Sequence, residues 1–222
     1  MARKKQVAVI GLGRFGASMC RTLIGEGVEV LGVDLDERRV AELAGVVTHI
    51  VRADSTDESV LAELDIRSFD SVVVAIGEDV QASILTALMV RQAGVEDIWA
   101  KATSDYHAKV LELIGVSHVV HPERDMGKRI AQLISSETLI DFIDLSGDHR
   151  LIELVAPAGM VGRSLAELDI RAKFGCIVVG FKRGEHSSIA PDPTDLIEAG
   201  DVLFVIGANE DLRRLQAKLP RS

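Results

Sequence analysis

Aromatic side chains are scarce in this chain, with a single Trp, a single Tyr and six Phe among 222 residues. A core of that composition must be built from Val, Leu, Ile and Ala, the mixture that fills sheets buried on both faces. Cysteine is scarcer relative to its uses. Cys20 and Cys176 stand far apart with no paired Cys or Cys/His spacing. That excludes a zinc module and a disulfide framework, and leaves both as core thiols in apolar segments. Long apolar runs are missing too, and nothing approaches the roughly 18 residues of a membrane-crossing helix. Basic residues are outnumbered, 25 Lys and Arg against 34 Asp and Glu, for a formal net charge of −9. That balance argues against nonspecific contact with nucleic acid or anionic membranes. The basic start at residues 3–5 resembles a secretion signal. The apolar run behind it is short and enters a glycine loop, so it reads as a first strand. A cytoplasmic location is expected, with any membrane role exercised through a partner.

What is present begins with that strand. Val7-Ala8-Val9-Ile10 leads into Gly11-Leu12-Gly13-Arg14-Phe15-Gly16, and Asp34 ends a second apolar run. A strand, G-x-G-x-x-G, a helix and an acidic residue about 20 positions on make a nucleotide-binding βαβ unit. Gly11 permits the tight turn, Gly13 lets the backbone approach a phosphate, and Gly16 lets the helix pack on the strand. The helix start offers free N–H groups and a positive dipole end, with Phe15 among them. Arg14 adds a charge that can fork onto phosphate. Asp34 suits a ribose diol and repels a 2′-phosphate, which disfavours NADP. The alternative is that the glycines serve only a tight strand–helix junction.

Strand-like runs recur at 7–10, 28–33, 49–52, 71–75, 98–102 and 118–120, separated by helical patterns at 17–25, 38–45, 59–64, 81–94 and 106–114. Such alternation predicts an α/β fold, a doubly wound parallel sheet of the Rossmann type, with ligands at the carboxyl ends of its strands. Two more loops fall on that edge. Asp54 suits an adenine amino group, while Asp54 or Ser55 could instead cap the next helix. Ile76 and Gly77 can present backbone and an apolar face to a base. Lys101 is placed either to meet a phosphate or to stand in solvent. His49, His107, His118, His121, His149 and His186 show no paired spacing for zinc and read as structural or surface residues.

Gly11-Leu12-Gly13-Arg14-Phe15-Gly16, Val74-Ala75-Ile76-Gly77, His121-Pro122-Glu123-Arg124-Asp125-Met126-Gly127 and Asp169-Ile170-Arg171-Ala172-Lys173-Phe174-Gly175-Cys176 together resemble the RCK regulators of bacterial potassium uptake. The resemblance spans essentially the whole chain. It implies an N-terminal domain that binds ATP or ADP. It also implies dimers assembled into an octameric ring, and a Ktr/Trk-type potassium-translocating membrane partner gated by nucleotide exchange. Arg14 would then sense the terminal phosphates. Glu123 would sit near them at the dimer interface, where a divalent cation, Mg2+ or Ca2+, can bind between two copies. By position alone Glu123 is simply an exposed glutamate in the first turn of a helix.

The expected organisation is 1–122 for the nucleotide-binding domain, 123–138 for a crossover helix and linker, and 139–222 for a smaller α+β domain. Residues 126–133 read as a helix with Ile130, Leu133 and Ile134 on one face, available to a second copy or to its own domain. In the second domain 151–155, 176–181 and 202–207 read as strands. Ser164 is placed to cap a short helix to Leu168, Asp192-Pro193-Thr194-Asp195 marks a turn, and Asn209 is placed to cap a final helix to Leu219. The resemblance implies a cyclic di-AMP site at Leu165, Ala166, Asp169, Ile170 and Arg171, although Arg171 could merely pair with Asp169. No nucleophile–base pair or Walker lysine is evident, so an enzyme is not expected. The rival reading is an NAD(H)-dependent oxidoreductase or an NAD-binding structural protein, whose acid–base residue the sequence does not supply.

Overall fold

The computed structural model describes residues 3–218. Strands β1 (Gln6–Ile10), β2 (Glu29–Asp34), β3 (His49–Arg52), β4 (Ser71–Val74), β5 (Ile98–Lys101) and β6 (His118–Val120) form one sheet in the order β3-β2-β1-β4-β5-β6. Every pairing in it is parallel. Helices α1 (Arg14–Gly25), α2 (Glu37–Leu43), α3 (Glu58–Glu63), α4 (Val80–Gln92) and α5 (Asp105–Ile114) supply the crossovers. The strand order reverses beside β1, which creates the crevice where such sheets bind ligands.

Alternating residues of these strands serve two cores. Ala8, Ile10, Val72, Val74, Ile98 and Ala100 pack with Ala87, Val90 and Leu111. Val7, Val9 and Val73 pack with Cys20 and Leu43. Each fully buried Val or Ile contributes about 1.5–3 kcal/mol, so uninterrupted aliphatic strands are the main thing holding the sheet. Asp36, Asp57, Asp79 and Ser104 cap α2, α3, α4 and α5 by accepting backbone N–H groups. The α3 cap is therefore Asp57, not Asp54 or Ser55. Asp54 instead closes a local turn by accepting from the Thr56 amide and hydroxyl at 2.9 and 2.7 Å.

Helix α6 spans Pro122–Ile134. It begins four residues earlier than the apolar periodicity indicated, because a proline that ends a strand is equally suited to the first turn of a helix. The chain divides into two compact units after Asp125, within α6. The second unit carries β7 (Leu139–Asp144), β8 (His149–Val155), β9 (Ile177–Arg183), β10 (His186–Ile189) and β11 (Val202–Ala208), antiparallel in the order β10-β9-β11-β8-β7. Helices α7 (Leu165–Leu168), α8 (Ile170–Phe174) and α9 (Asn209–Lys218) complete it. Ser164 and Glu167 form a reciprocal capping box on α7. Leu219, the expected end of the last helix, lies outside the described residues. Ile152, Leu154, Met160, Ile197, Leu203, Val205 and Leu215 belong to the core of this unit. Among the described residues no helix is long and apolar enough to cross a membrane.

Candidate functional site

A cleft of about 740 Å³ opens at the carboxyl edge of the parallel sheet. Its lining includes Gly11, Gly13, Arg14, Phe15, Asp34, Asp54, Ser55, Ile76, Gly77, Lys101 and Glu123. Of the residues expected at the nucleotide and cation sites, Gly16 alone stands outside the lining. It lies beneath the loop, where an added Cβ would come within 1.9 Å of the Gly11 carbonyl oxygen. That contact makes it the packing glycine. Gly11 is locked differently: its φ is +96°, and an added Cβ would lie 2.9 Å from the Ala75–Ile76 backbone. At Gly13 the nearest atom to an added Cβ is Arg39 Nη1, 3.9 Å away, so open space lies above this backbone. Helix α1 starts at Arg14 with no side-chain cap, so the first-turn N–H groups face the cleft without a protein side chain accepting from them. A phosphate fits that requirement.

Asp34 is buried, 8% exposed, and oriented by two amides. Its Oδ2 accepts from Leu12 N–H at 2.6 Å and its Oδ1 from Asp36 N–H at 2.8 Å. Arg14 and Lys101 make no ion pair with it among the described residues. Arg14 is exposed, and among the described residues it makes no ion pair or side-chain hydrogen bond. Lys101 is only 12% exposed, and its Nζ donates to Glu123 Oε1 at 2.6 Å. The same Nζ sits 5.9 Å from the centre of the Phe15 ring. The Lys101 hydrogen bond, aided by Arg14, holds the Glu123 carboxyl below the usual carboxylate range. The Ser55 hydroxyl turns inward to Thr86 at 2.9 Å, so its contribution to the cleft is backbone and Cβ.

These residues fit a nucleoside phosphate. They do not by themselves fit a divalent cation. Glu123 is committed to Lys101, and among the described residues no group of three His, Cys, Asp or Glu side chains converges on a metal position. Sequence reasoning missed Arg39. Its guanidinium donates to Glu78 Oε1 at 2.9 Å and lies 3.7 Å from Asp34 Oδ2, inside the cleft lining. As an exposed-face arginine of a short helix it is indistinguishable in sequence from its neighbour Arg38, whose partner is Asp36.

In the second unit Leu165, Ala166, Asp169, Ile170 and Arg171 line one shallow depression of about 240 Å³ with Cys176, Ile177, Val178, Pro191 and Pro193. Arg171 makes no ion pair with Asp169 among the described residues. Asp169 instead takes a left-handed conformation, φ 44°, where α7 meets α8.

Fold and cleft together define a Rossmann-type nucleotide-site domain followed by a small antiparallel α+β domain. Residues 7–122 match the TrkA-N domain model and residues 149–219 the TrkA-C domain model. The chain belongs to the RCK family of TrkA-N/TrkA-C potassium-uptake regulators. It is 51% identical over 216 residues to Ktr system potassium uptake protein C of Bacillus subtilis, covering 97% of this chain and 98% of that one. It is 43% identical to Ktr system potassium uptake protein A of the same organism, covering 96% of each. The GsuK RCK domain shares the fold at TM-score 0.69 and 19% identity, over 99% of this chain and 48% of that one.

Proposed function

We propose that this chain is the cytosolic regulatory subunit of a Ktr-type potassium-uptake system and that its cleft reads ATP against ADP. The observation that carries the nucleotide reading is the uncapped start of α1 above open space at Gly13, with Arg14 and Lys101 lining the same cleft. Oriented Asp34 offers the ribose a carboxylate, and Ile76, Gly77 and Asp54 border the space for a base. The relatives named for potassium uptake support the regulatory role. A transport regulator needs the nucleotide as a signal and not as a reactant, which sets this reading against an NAD(H)-dependent oxidoreductase.

The assembly we propose is a homodimer that builds an octameric ring on the inner face of the membrane, under the potassium-translocating subunit. Its support lies in α6, where Met126, Ile130 and Ile134 are 53%, 47% and 79% exposed at four-residue spacing. Leu133, by contrast, packs against the core of the second unit. A divalent cation, Mg2+ or Ca2+, enters this proposal only with a second copy of Glu123, since one chain does not make its site. The depression at Leu165–Arg171 is proposed for cyclic di-AMP on the same terms. At about 240 Å³ it is too small for a dinucleotide unless a second copy faces it.

Isothermal calorimetry with ATP, ADP, NADH and NADPH tests the reading. Binding of ATP and ADP, with no loss of NADH absorbance on incubation with candidate oxidants, is the expected result. No response to either adenylate, or steady oxidation of NADH, overturns it.

A further inference from the structure

Arg39 holds a position in the cleft that helix capping does not account for. Its guanidinium lies 3.7 Å from Asp34 Oδ2, close enough for attraction but too far for a direct hydrogen bond. It is also the nearest group to the space above Gly13. The other end of the fork is held from across the cleft, where Glu78, 85% exposed on the loop after β4, accepts from Nη2 at 2.9 Å. Asp36 approaches Nε at 4.0 Å from the same helix. The arginine is thus anchored at both margins, yet only a third exposed.

We infer that Arg39 and Asp34 together read a ribose hydroxyl of the bound nucleotide, with Glu78 as the positioning residue that keeps the guanidinium at the required distance. A hydroxyl has one hydrogen to donate and lone pairs to accept with. Asp34 can only accept and Arg39 can only donate, so the gap between them matches a hydroxyl on both counts. Asp34 is already turned by two backbone amides and cannot swing to close the gap itself. Without the hydroxyl, the Asp34 carboxylate and the Arg39 Nη1 face each other at 3.7 Å with no direct hydrogen bond between them. The ligand class is therefore a ribonucleotide, discriminated from its deoxy counterpart.

This inference rests on the adenylate reading of the cleft, and its test separates the two. The affinities of ADP and 2′,3′-dideoxy-ADP are measured by calorimetry on the full chain, for the natural protein and for Arg39→Gln and Glu78→Gln. The natural protein is expected to prefer ADP by about tenfold, the size of one charge-assisted hydrogen bond in a half-open site. Arg39→Gln is expected to bring that ratio to about one third of its value or lower, because ADP loses more affinity than dideoxy-ADP does. Glu78→Gln, on an exposed loop that tolerates the change, is expected to lower the ratio about twofold. Equal binding of the two nucleotides by the natural protein overturns the inference and leaves the adenylate reading standing. So does an Arg39→Gln loss that is the same for both ligands. An unchanged ratio in Glu78→Gln removes Glu78 from its positioning role. Failure of the natural protein to bind either nucleotide sinks the adenylate reading, and this inference with it.

Discussion

Lys101 donates to Glu123 at 2.6 Å at the edge of the cleft, joining the last residue of β5 to the first turn of α6. On the proposed adenylate reading, a nucleotide phosphate and the Glu123 carboxylate would compete for one ammonium group. Glu123→Gln removes the competitor and one like charge from the phosphate's surroundings. In buffer free of divalent ions, ADP binding by this variant is expected to tighten about two- to fivefold, a surface-pair effect. Calorimetry measures it, and weaker binding in the variant shows that Lys101 does not turn to the phosphate. The depressed Glu123 carboxyl also has a pH signature. Its favourable pairing is present above the ordinary carboxylate range and is lost as pH falls through the lowered value, so the variant's advantage shrinks in acid.

Arg14 is the free cation of the site, exposed and without an ion-pair partner among the described residues. A charge in that state is available to an incoming anion, and on the proposed reading that anion is the terminal phosphate of ATP. Arg14→Ala is expected to weaken ATP binding about tenfold and ADP binding only two- to threefold. Equal losses for the two nucleotides take Arg14 out of γ-phosphate sensing.

The second and third glycines of the loop separate fold from function. An added Cβ at Gly16 meets the Gly11 carbonyl oxygen at 1.9 Å, a backbone atom that cannot step aside. Gly16→Ala is expected to cost at least about 3 kcal/mol and to lower the urea midpoint or abolish soluble expression. At Gly13 the φ of −64° suits any residue and the space is open. Gly13→Ala is expected to keep the natural melting temperature within a few degrees while losing adenylate affinity, because the methyl group occupies the phosphate's approach. A Gly13→Ala protein that binds normally moves the phosphate elsewhere.

The parallel sheet was legible because its central strands hold uninterrupted apolar runs: residues 7–10 and 72–74 are buried, and such runs are hard to mistake. The second unit was read less completely. β7, Leu-Ile-Asp-Phe-Ile-Asp, is an edge strand in which only Phe142 is fully buried, and Asp141 is held by Arg129. β10, His-Ser-Ser-Ile, has no buried residue and exists because it pairs with β9 across a turn at Gly184. Its stability is tertiary and leaves no periodic signal. The cleft shows the same division. Its backbone requirements are written as glycines at fixed spacing, whereas Arg39 enters through a contact with Glu78, thirty-nine positions away in the chain.

Both cysteines should be silent in the native state. Cys20 and Cys176 are fully buried, and burial raises each thiol to about 11. The reactive thiolate is then rare at neutral pH. Ellman's reagent is expected to titrate neither within minutes in buffer and both in strong denaturant. Rapid labelling of the native protein would show that one of these segments opens easily.

The second unit depends on a single buried carboxylate. Asp201 has no exposed side-chain surface, and its two oxygens meet Arg183 Nε and Nη2, each at 2.8 Å. Oδ2 also accepts from the Glu198 amide, and Arg183 reaches on to Glu198 and the Leu196 carbonyl, which ties the turn before β11 to β9. Asp201→Ala strips Arg183 and the Glu198 amide of their acceptor at once. Arg183 is 39% exposed and can recover water, so the expected loss is about 2–3 kcal/mol, below that of a fully enclosed pair. The hydrogen bond from Arg183 holds the Asp201 carboxyl below its ordinary 3.8, which fixes the sign of the pH effect. The contribution is complete above that ordinary value and disappears as pH falls through the depressed one. Urea unfolding of the natural protein and the variant should therefore differ most at neutral pH and converge in strong acid. A difference that stays constant down to strong acid would assign the loss to packing, with the ion pair contributing little.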